Sequence, residues 1–250
     1  MVFYLSKVCT FVGTYDTMNL DNQKGECEMC YSKRYQDSLE TELVSDIKAY
    51  SSTIVGGSDV SHLTDFKKLL LRQLNSLTNT EIISDEYDDT QELLVNLRDE
   101  MMRRHELLAK AKCKDITTYN DSVPADKRLQ SKVMIINHFE QLCGRLSALI
   151  LLNRTLLPKL RVTGIVIVAL FDTGSLGFDK HSPIVDVKVV DYRRMIENFN
   201  TRIALDMRTR EESVLFVGNA EAMHISDSNK AIYTNAYFKS RNRELSYHYS

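Results

Sequence analysis

The chain has 250 residues, 43% hydrophobic and 26% charged, enough to bury the core of one α/β domain or two small ones. Its formal net charge of −2 excludes a broad cationic surface for nucleic acid, so a nucleic-acid role would need a local patch. The five cysteines (Cys9, Cys27, Cys30, Cys113, Cys143) are odd in number and scattered, which fits a reducing cytosol better than a disulfide framework.

The start, MVFYLSKVCTF, has neither the basic n-region nor the small-residue cleavage site of a signal peptide. Residues 1–51 read as a lead-in segment with a polar loop, NLDNQKGECEMC, between two short mixed stretches. TIVGG (53–57) is a short buried strand, followed by a helix-period segment carrying Phe66, Leu69, Leu70, Leu74 and Leu77. SDEYDDTQ (84–91) places a Ser cap and four acids before a second helix with Leu94, Leu97, Met101 and Leu108 on one face. SKVMIIN (131–137) is the next strand, and the helical period then runs from Phe139 to Leu157, with Pro158 just beyond.

VTGIVIVALF (162–171) is a continuous apolar strand of the kind buried on both faces; its apolar core is far too short to cross a membrane. A glycine-bearing loop leads to a strand at VDVKVV, a helix at YRRMIENF, and strands at TRIALDM (201–207) and SVLFVG (213–218). Hairpin-like pieces at Ala231–Tyr233 and Ala236–Lys239 end the pattern. This alternation predicts an α/β domain with a mostly parallel sheet.

Ligands of such a sheet bind beyond the carboxyl ends of its strands. After TIVGG, the eight residues Gly57, Ser58, Asp59, Val60, Ser61, His62, Leu63 and Thr64 can be set against the phosphate-loop pattern G-x-x-x-x-G-K-[ST]. The first Gly and the last hydroxyl are in place, but His62 stands for the second Gly and Leu63 for the Lys. Asp59 also adds a negative charge where phosphate would approach. Losing one charge-assisted contact costs roughly 1.5–3 kcal/mol, so phosphate binding of the ordinary kind should be severely weakened. The other reading is a plain strand-to-helix turn. At the end of VMII, where a nucleotide hydrolase has an Asp for magnesium and a Glu for water, the chain has Asn137 and His138.

These segments, in this order, resemble the motor domain of the FtsK/SpoIIIE ATPases from Ser52 onward. The residues that carry the resemblance are STIVGGSDVSHLTDFKKLLLRQL, DEYDDTQELLVNLRDEMMRRHELLAKAKCKDITTYND, VMIINHFEQL, VTGIVIVALFDTG and NFNTRIALDMRTREESVLFVGNAEAM. The second and last of these match most closely. The resemblance implies a RecA-like, P-loop-NTPase-type sheet over 52–250 with a degenerate nucleotide site. Leu63 stands at the Walker A Lys, Asn137 and His138 at the Walker B acids, and Phe171 and Asp172 near the family's Gln-Arg pair. The stretch before the acidic cap is short and looks to omit a strand unit.

Within the family, the chain is similar to the degenerate last motor domain of the EssC-like type VII secretion ATPases. That similarity implies a non-hydrolysing domain on the cytoplasmic side of a membrane-anchored parent, with no catalytic residue, no resident cofactor, and at most weak ATP and magnesium binding. Its partners would be secretion substrates or their targeting segments, neighbouring ATPase domains, and further copies of itself. DNA is not expected, since the basic winged-helix reader of the family's DNA translocases has no counterpart. The rival readings are an atypical ATP-binding motor and a DNA-translocating module.

Other constellations weigh less. Cys27-x-x-Cys30 with Cys9 lacks a second ligand pair for zinc. The acids Asp85, Glu86, Asp88 and Asp89 read as a solvated helix start, and Arg103-Arg104 and Arg193-Arg194 as solvated faces. Ser61 with His62, and His138 near Glu140, establish no nucleophile–base arrangement by themselves.

Overall fold

A computed structural model describes residues 38–84, 90–142, 145–176, 187–225, 227, 229–236 and 242–247, without the side chains of 146 and 187–191. The Cys9, Cys27 and Cys30 set, the acids at 85–89 and the piece at 237–239 therefore lie outside the described residues. The sheet belongs to a compact unit spanning Asp37–Ser250.

Seven strands form one sheet in the order β2-β3-β4-β1-β5-β6-β7. They are β1 (Thr53–Gly57), β2 (Thr80–Ser84), β3 (Ser131–Ile136), β4 (Ile165–Asp172), β5 (Thr201–Ala204), β6 (Lys230–Asn235) and β7 (Arg243–Ser246). The first five in that order run parallel, and β6 and β7 add antiparallel at one edge. At the centre Val55 of β1 sits opposite Leu170 of β4 on one side and Ile203 of β5 on the other.

Alternation along the strands feeds two cores, one on each face. Ile54, Met134, Ile136, Ile167 and Phe171 point to one, packed by α3 (Thr90–Lys110), α5 (Phe139–Leu142), α6 (Leu146–Ile150), α7 (Val187–Ile196) and α8 (Arg210–Val217). Val55, Val133, Ile135, Val168 and Ile203 point to the other, packed by α1 (Leu39–Lys48) and α2 (Val60–Asn75). A short α4 (Ile116–Ser122) caps the amino-terminal edge, where Ile116 is buried against Gly164.

Helix α1 extends the domain into the expected lead-in. Leu39, Leu43 and Ile47 are buried, each worth about 1.5–3 kcal/mol of transfer energy. Buried Asp46 ties the helix to the sheet by accepting from Thr201 Oγ1 (2.8 Å), Tyr233 Oη (2.7 Å) and Asn235 Nδ2 (2.9 Å). Desolvation pushes the Asp46 carboxyl above its ordinary range, against those three donors.

Several expectations change. SVLFVG, an apolar run with strand composition, is helical: Thr209 and Glu212 form a capping box, and Gly218 at φ 84° ends the helix. VDVKVV is not a strand either, because its last four residues begin α7. The helix expected over 139–157 is broken into α5, α6 and a π-helical stretch, Leu151–Leu156. In the stretch that looked to omit a strand unit, the half-exposed β2 pairs with β3.

Arg104, expected on a solvated face, is buried instead. Its Nε donates to Glu100 Oε1 (2.7 Å) and its Nη1 to the Thr163 carbonyl (2.8 Å). The hydrogen bond from Arg103, followed by that from Arg104, draws the Glu100 carboxyl down to about 2 against the cost of burial. Among the described residues no helix is long and apolar enough to cross a membrane.

Candidate functional site

The tips of β1, β3, β4 and β5 share the carboxyl-terminal edge, where a parallel α/β sheet places its ligands. All ten residues picked from the sequence lie on the β1–α2 connection or at the β3 tip. They do not form the arrangement expected for a phosphate loop.

The β1–α2 connection is nearly absent. Strand β1 ends at Gly57, Ser58 turns, Asp59 caps, and α2 begins at Val60. Val60, Ser61, His62, Leu63 and Thr64, the last five of the eight phosphate-loop positions, are therefore already helical. A phosphate cradle needs an extended run of backbone N–H groups converging on the anion, and two residues cannot provide one.

The helix end that remains is capped from within. Asp59 Oδ1 accepts from Ser61 N (2.8 Å) and Ser61 Oγ (2.6 Å), and these two bonds hold its carboxyl below the ordinary range. Leu63, at the Lys position, is buried beside Leu205 and Gly57. Thr64 Oγ1 donates to its own helix at Val60 O (2.8 Å). His62 Nδ1 lies 2.8 Å from Asp206 Oδ1, just past β5.

Ser58 is the centre of a buried network. Its Oγ donates to Glu212 Oε2 (2.8 Å), accepts from Arg208 N (2.9 Å) and lies 3.3 Å from Thr173 Oγ1. Glu212 Oε2 also accepts from Thr209 N (2.9 Å), closing the capping box of α8. One buried carboxylate thus joins the tips of β1 and β4 to the start of α8. Gly174 completes the closure: a Cβ there would stand 2.7 Å from Ser58 O.

At the β3 tip, Asn137 Nδ2 donates to Ser84 Oγ on β2 (3.2 Å). His138 adopts a left-handed backbone, φ 50°, which is uncommon for a residue with a side chain. Its Nδ1 lies 3.3 Å from Glu140 Oε1, while Glu140 Oε2 accepts from Asp172 N (3.0 Å). Burial pushes the Glu140 carboxyl up, in opposition to the N–H donors and His138, and the Asp172 charge adds to the rise.

Strand β4 lies between β1 and β3, and its tip touches both. Thr173 N donates to Gly57 O (3.0 Å) and Asp172 N donates to Glu140. Phe171 is turned away into the core, with ring centroids 6.1 Å from Phe139, 5.8 Å from Tyr192 and 5.5 Å from Phe216. The fold brings His138 to Glu140 but pairs His62 with Asp206 and leaves Ser61 on Asp59; Asp206 and Ser58's partners Thr173 and Glu212 were not among the residues expected from the sequence. Glu212 was findable, because T-x-x-E before an apolar run is a capping-box signal. Among the described residues no group of three or more His, Cys, Asp and Glu is placed to hold a metal ion.

The sequence matches no protein-family model and no curated protein. Its structure matches solved proteins of low sequence identity. The pCW3 conjugation coupling protein TcpA, in its monomer form with ATPγS, aligns over 81% of this chain and 62% of its own, with TM-score 0.63 and 17% identity. EssC (ATPases 2 and 3) from Geobacillus thermodenitrificans aligns over 80% and 40%, with TM-score 0.55 and 13% identity. The cytoplasmic domain of the Thermomonospora curvata type VII secretion ATPase EccC aligns over 79% and 25%, with TM-score 0.54 and 12% identity. The chain thus spans less than two-thirds of each of these proteins. The likeness establishes the fold: a mostly parallel RecA-like sheet of the P-loop-NTPase type, flanked by helices.

Proposed function

We propose that this chain is a motor-fold domain of the FtsK/SpoIIIE kind that has given up hydrolysis and works by binding, as an interaction domain of a membrane-anchored secretion coupling ATPase. One observation carries the reading. Helix α2 starts at Val60, so the eight-residue stretch has no room for a phosphate cradle, and the Asp59 carboxylate takes the helix-end N–H that an anion would use.

The partners this reading assigns are secretion substrates or the neighbouring catalytic domain of the parent chain, met at the strand-tip edge or an adjacent surface. The supports are the fold shared with EssC and EccC, which are proteins of several ATPase domains or far longer chains, and the polar edge left by the closed site.

A second reading has one observation in its favour. Glu140, a largely buried carboxylate, reaches from the β3 tip to the β4 tip, where an atypical nucleotide site could use an acid. Calorimetry with ATP and magnesium, paired with a phosphate-release assay, separates the two. The binding-domain reading expects no heat and no released phosphate. Micromolar ATP binding, or hydrolysis that Thr64→Ala or Glu140→Gln abolishes, would overturn it in favour of the second.

A further inference from the structure

The opposite edge of the sheet carries a charge pattern that the whole-chain balance conceals. There the end of α3, the turn into α4, the segment 125–130 and the start of β4 come together. Arg104 Nη1 donates to Thr163 O, Lys132 N donates to Gly164 O, and Ile116 packs on Gly164. Among the exposed cations on or beside these segments are Lys110, Lys112, Lys114, Lys127, Arg128 and Lys159. Lys114 reaches Asp115 only at 4.0 Å, and the other five make no ion pair among the described residues.

The cations are held on a fixed frame. Helix α3 ends with Lys112 at φ 54°, closed by Lys112 N to Ala109 O (3.1 Å) and Cys113 N to Leu108 O (2.9 Å). The 120–129 turn is clamped on both sides, with Asn120 Nδ2 donating to Leu129 O (2.9 Å) and Leu129 N to Asn120 Oδ1 (2.8 Å). Lys127 and Arg128 project from inside that clamp.

We infer that this amino-terminal edge docks an acidic polypeptide segment of a partner protein. Charge complementarity selects a polyanion, and two features select protein over nucleic acid. Exposed Glu106, Asp121 and Asp126 interrupt the cations, which opposes a continuous phosphate backbone but lets separate carboxylates find separate cations. Among the described residues the edge also has no exposed aromatic ring for a base to stack on, since Tyr119 is half-buried. Because the surface lies across the sheet from the strand-tip site, it is independent of whether that site binds anything.

The test uses the full 250-residue chain and a fluorescein-labelled peptide of alternating Glu and Gly as probe, read by anisotropy. Binding is expected at low ionic strength and should fade as salt shortens the screening length to below about 8 Å. The triple variant Lys112→Glu, Lys127→Glu, Arg128→Glu should weaken it by at least about tenfold. A control of equal charge change elsewhere, Lys48→Glu, Lys68→Glu, Arg194→Glu, should weaken it less than about threefold. Circular dichroism and thermal melting confirm that each variant is folded.

Three results would overturn the proposal. One is equal loss in both triple variants, which would mean that net charge alone governs the binding. Another is tighter, patch-dependent binding of a DNA or RNA oligonucleotide of matched charge. The last is salt-sensitive self-association lost in the first triple variant, which would make the occupant a second copy of this chain.

Discussion

The tip of β1 leads to Leu63 where the phosphate-loop pattern has a Lys, and the tip of β3 carries Asn137 and His138 where the Walker B pattern has acids, yet the two tips are finished differently. At β1, the Ser58 hydroxyl, the Glu212 carboxylate and the Arg208 and Thr209 N–H groups satisfy one another in a buried cluster. At β3, Asn137 and His138 stay half-exposed, and the more deeply placed side chain of Glu140 carries a carboxyl pushed up by burial. The first tip has become core. The second remains a surface with a titratable group under it, so of the two it is the one with chemistry still available.

The largest effect expected from this difference is on stability. Glu212→Ala removes an acceptor shared by Ser58 Oγ and Thr209 N and destroys the α8 capping box. Hydrogen bonds to a buried charge and a lost cap together should cost about 3 kcal/mol. His138→Ala at the other tip should cost well under about 1 kcal/mol, the usual range for surface changes. Denaturant midpoints of the two variants check this, and similar midpoints would remove the distinction between a core tip and a surface tip.

A smaller effect separates the tips by pH. Burial raises the Glu140 carboxyl, so the folded state holds that proton more tightly than the unfolded chain does. This group's contribution to stability is fully present below its ordinary value of 4.5 and is lost as pH rises through its raised folded value. Glu140→Gln stays neutral and can still accept from Asp172 N. Its stability relative to the wild type should therefore rise as pH climbs from about 4.5 through the raised folded value. Unfolding midpoints across that range, with His138→Ala alongside to isolate the imidazole, test the sign. A pH-independent difference would sink the argument.

How much of this was legible depended on whether local signals agreed. TIVGG and GIVIVALF are apolar, β-branched and bounded by turn residues, so pattern and burial coincide at β1 and β4. SVLFVG has the same composition but follows a T-x-x-E cap and ends in a glycine; the cap decided, and the run became α8. Strand β2 left almost no trace, because TEIIS is five residues long and only half-buried on both faces. Its identity comes from pairing with β3. At the site, the departures of Leu63, Asn137 and His138 from the phosphate-loop and Walker B patterns are visible in the sequence itself. The closure around Ser58 is not, since Thr173 and Glu212 lie 115 and 154 residues away in the chain.

The smallest expected effect asks whether charge or geometry closes the β1 tip. Asp59→Asn removes the negative charge but keeps a good cap, since Asn accepts from the helix N–H about as well as Asp does. Stability should change by less than about 0.5 kcal/mol. If the Asp59 charge were the main barrier, the variant would gain ATP binding. If the early start of α2 is the barrier, nothing should be gained, because Val60 to Thr64 remain helical and cannot wrap an anion as an extended loop does. Calorimetry of Asp59→Asn with ATP and magnesium, run beside the wild type, decides between them, and flat traces for both are the expected outcome. Micromolar binding by the variant alone would show that a single carboxylate, and not the loss of the loop, had emptied the site.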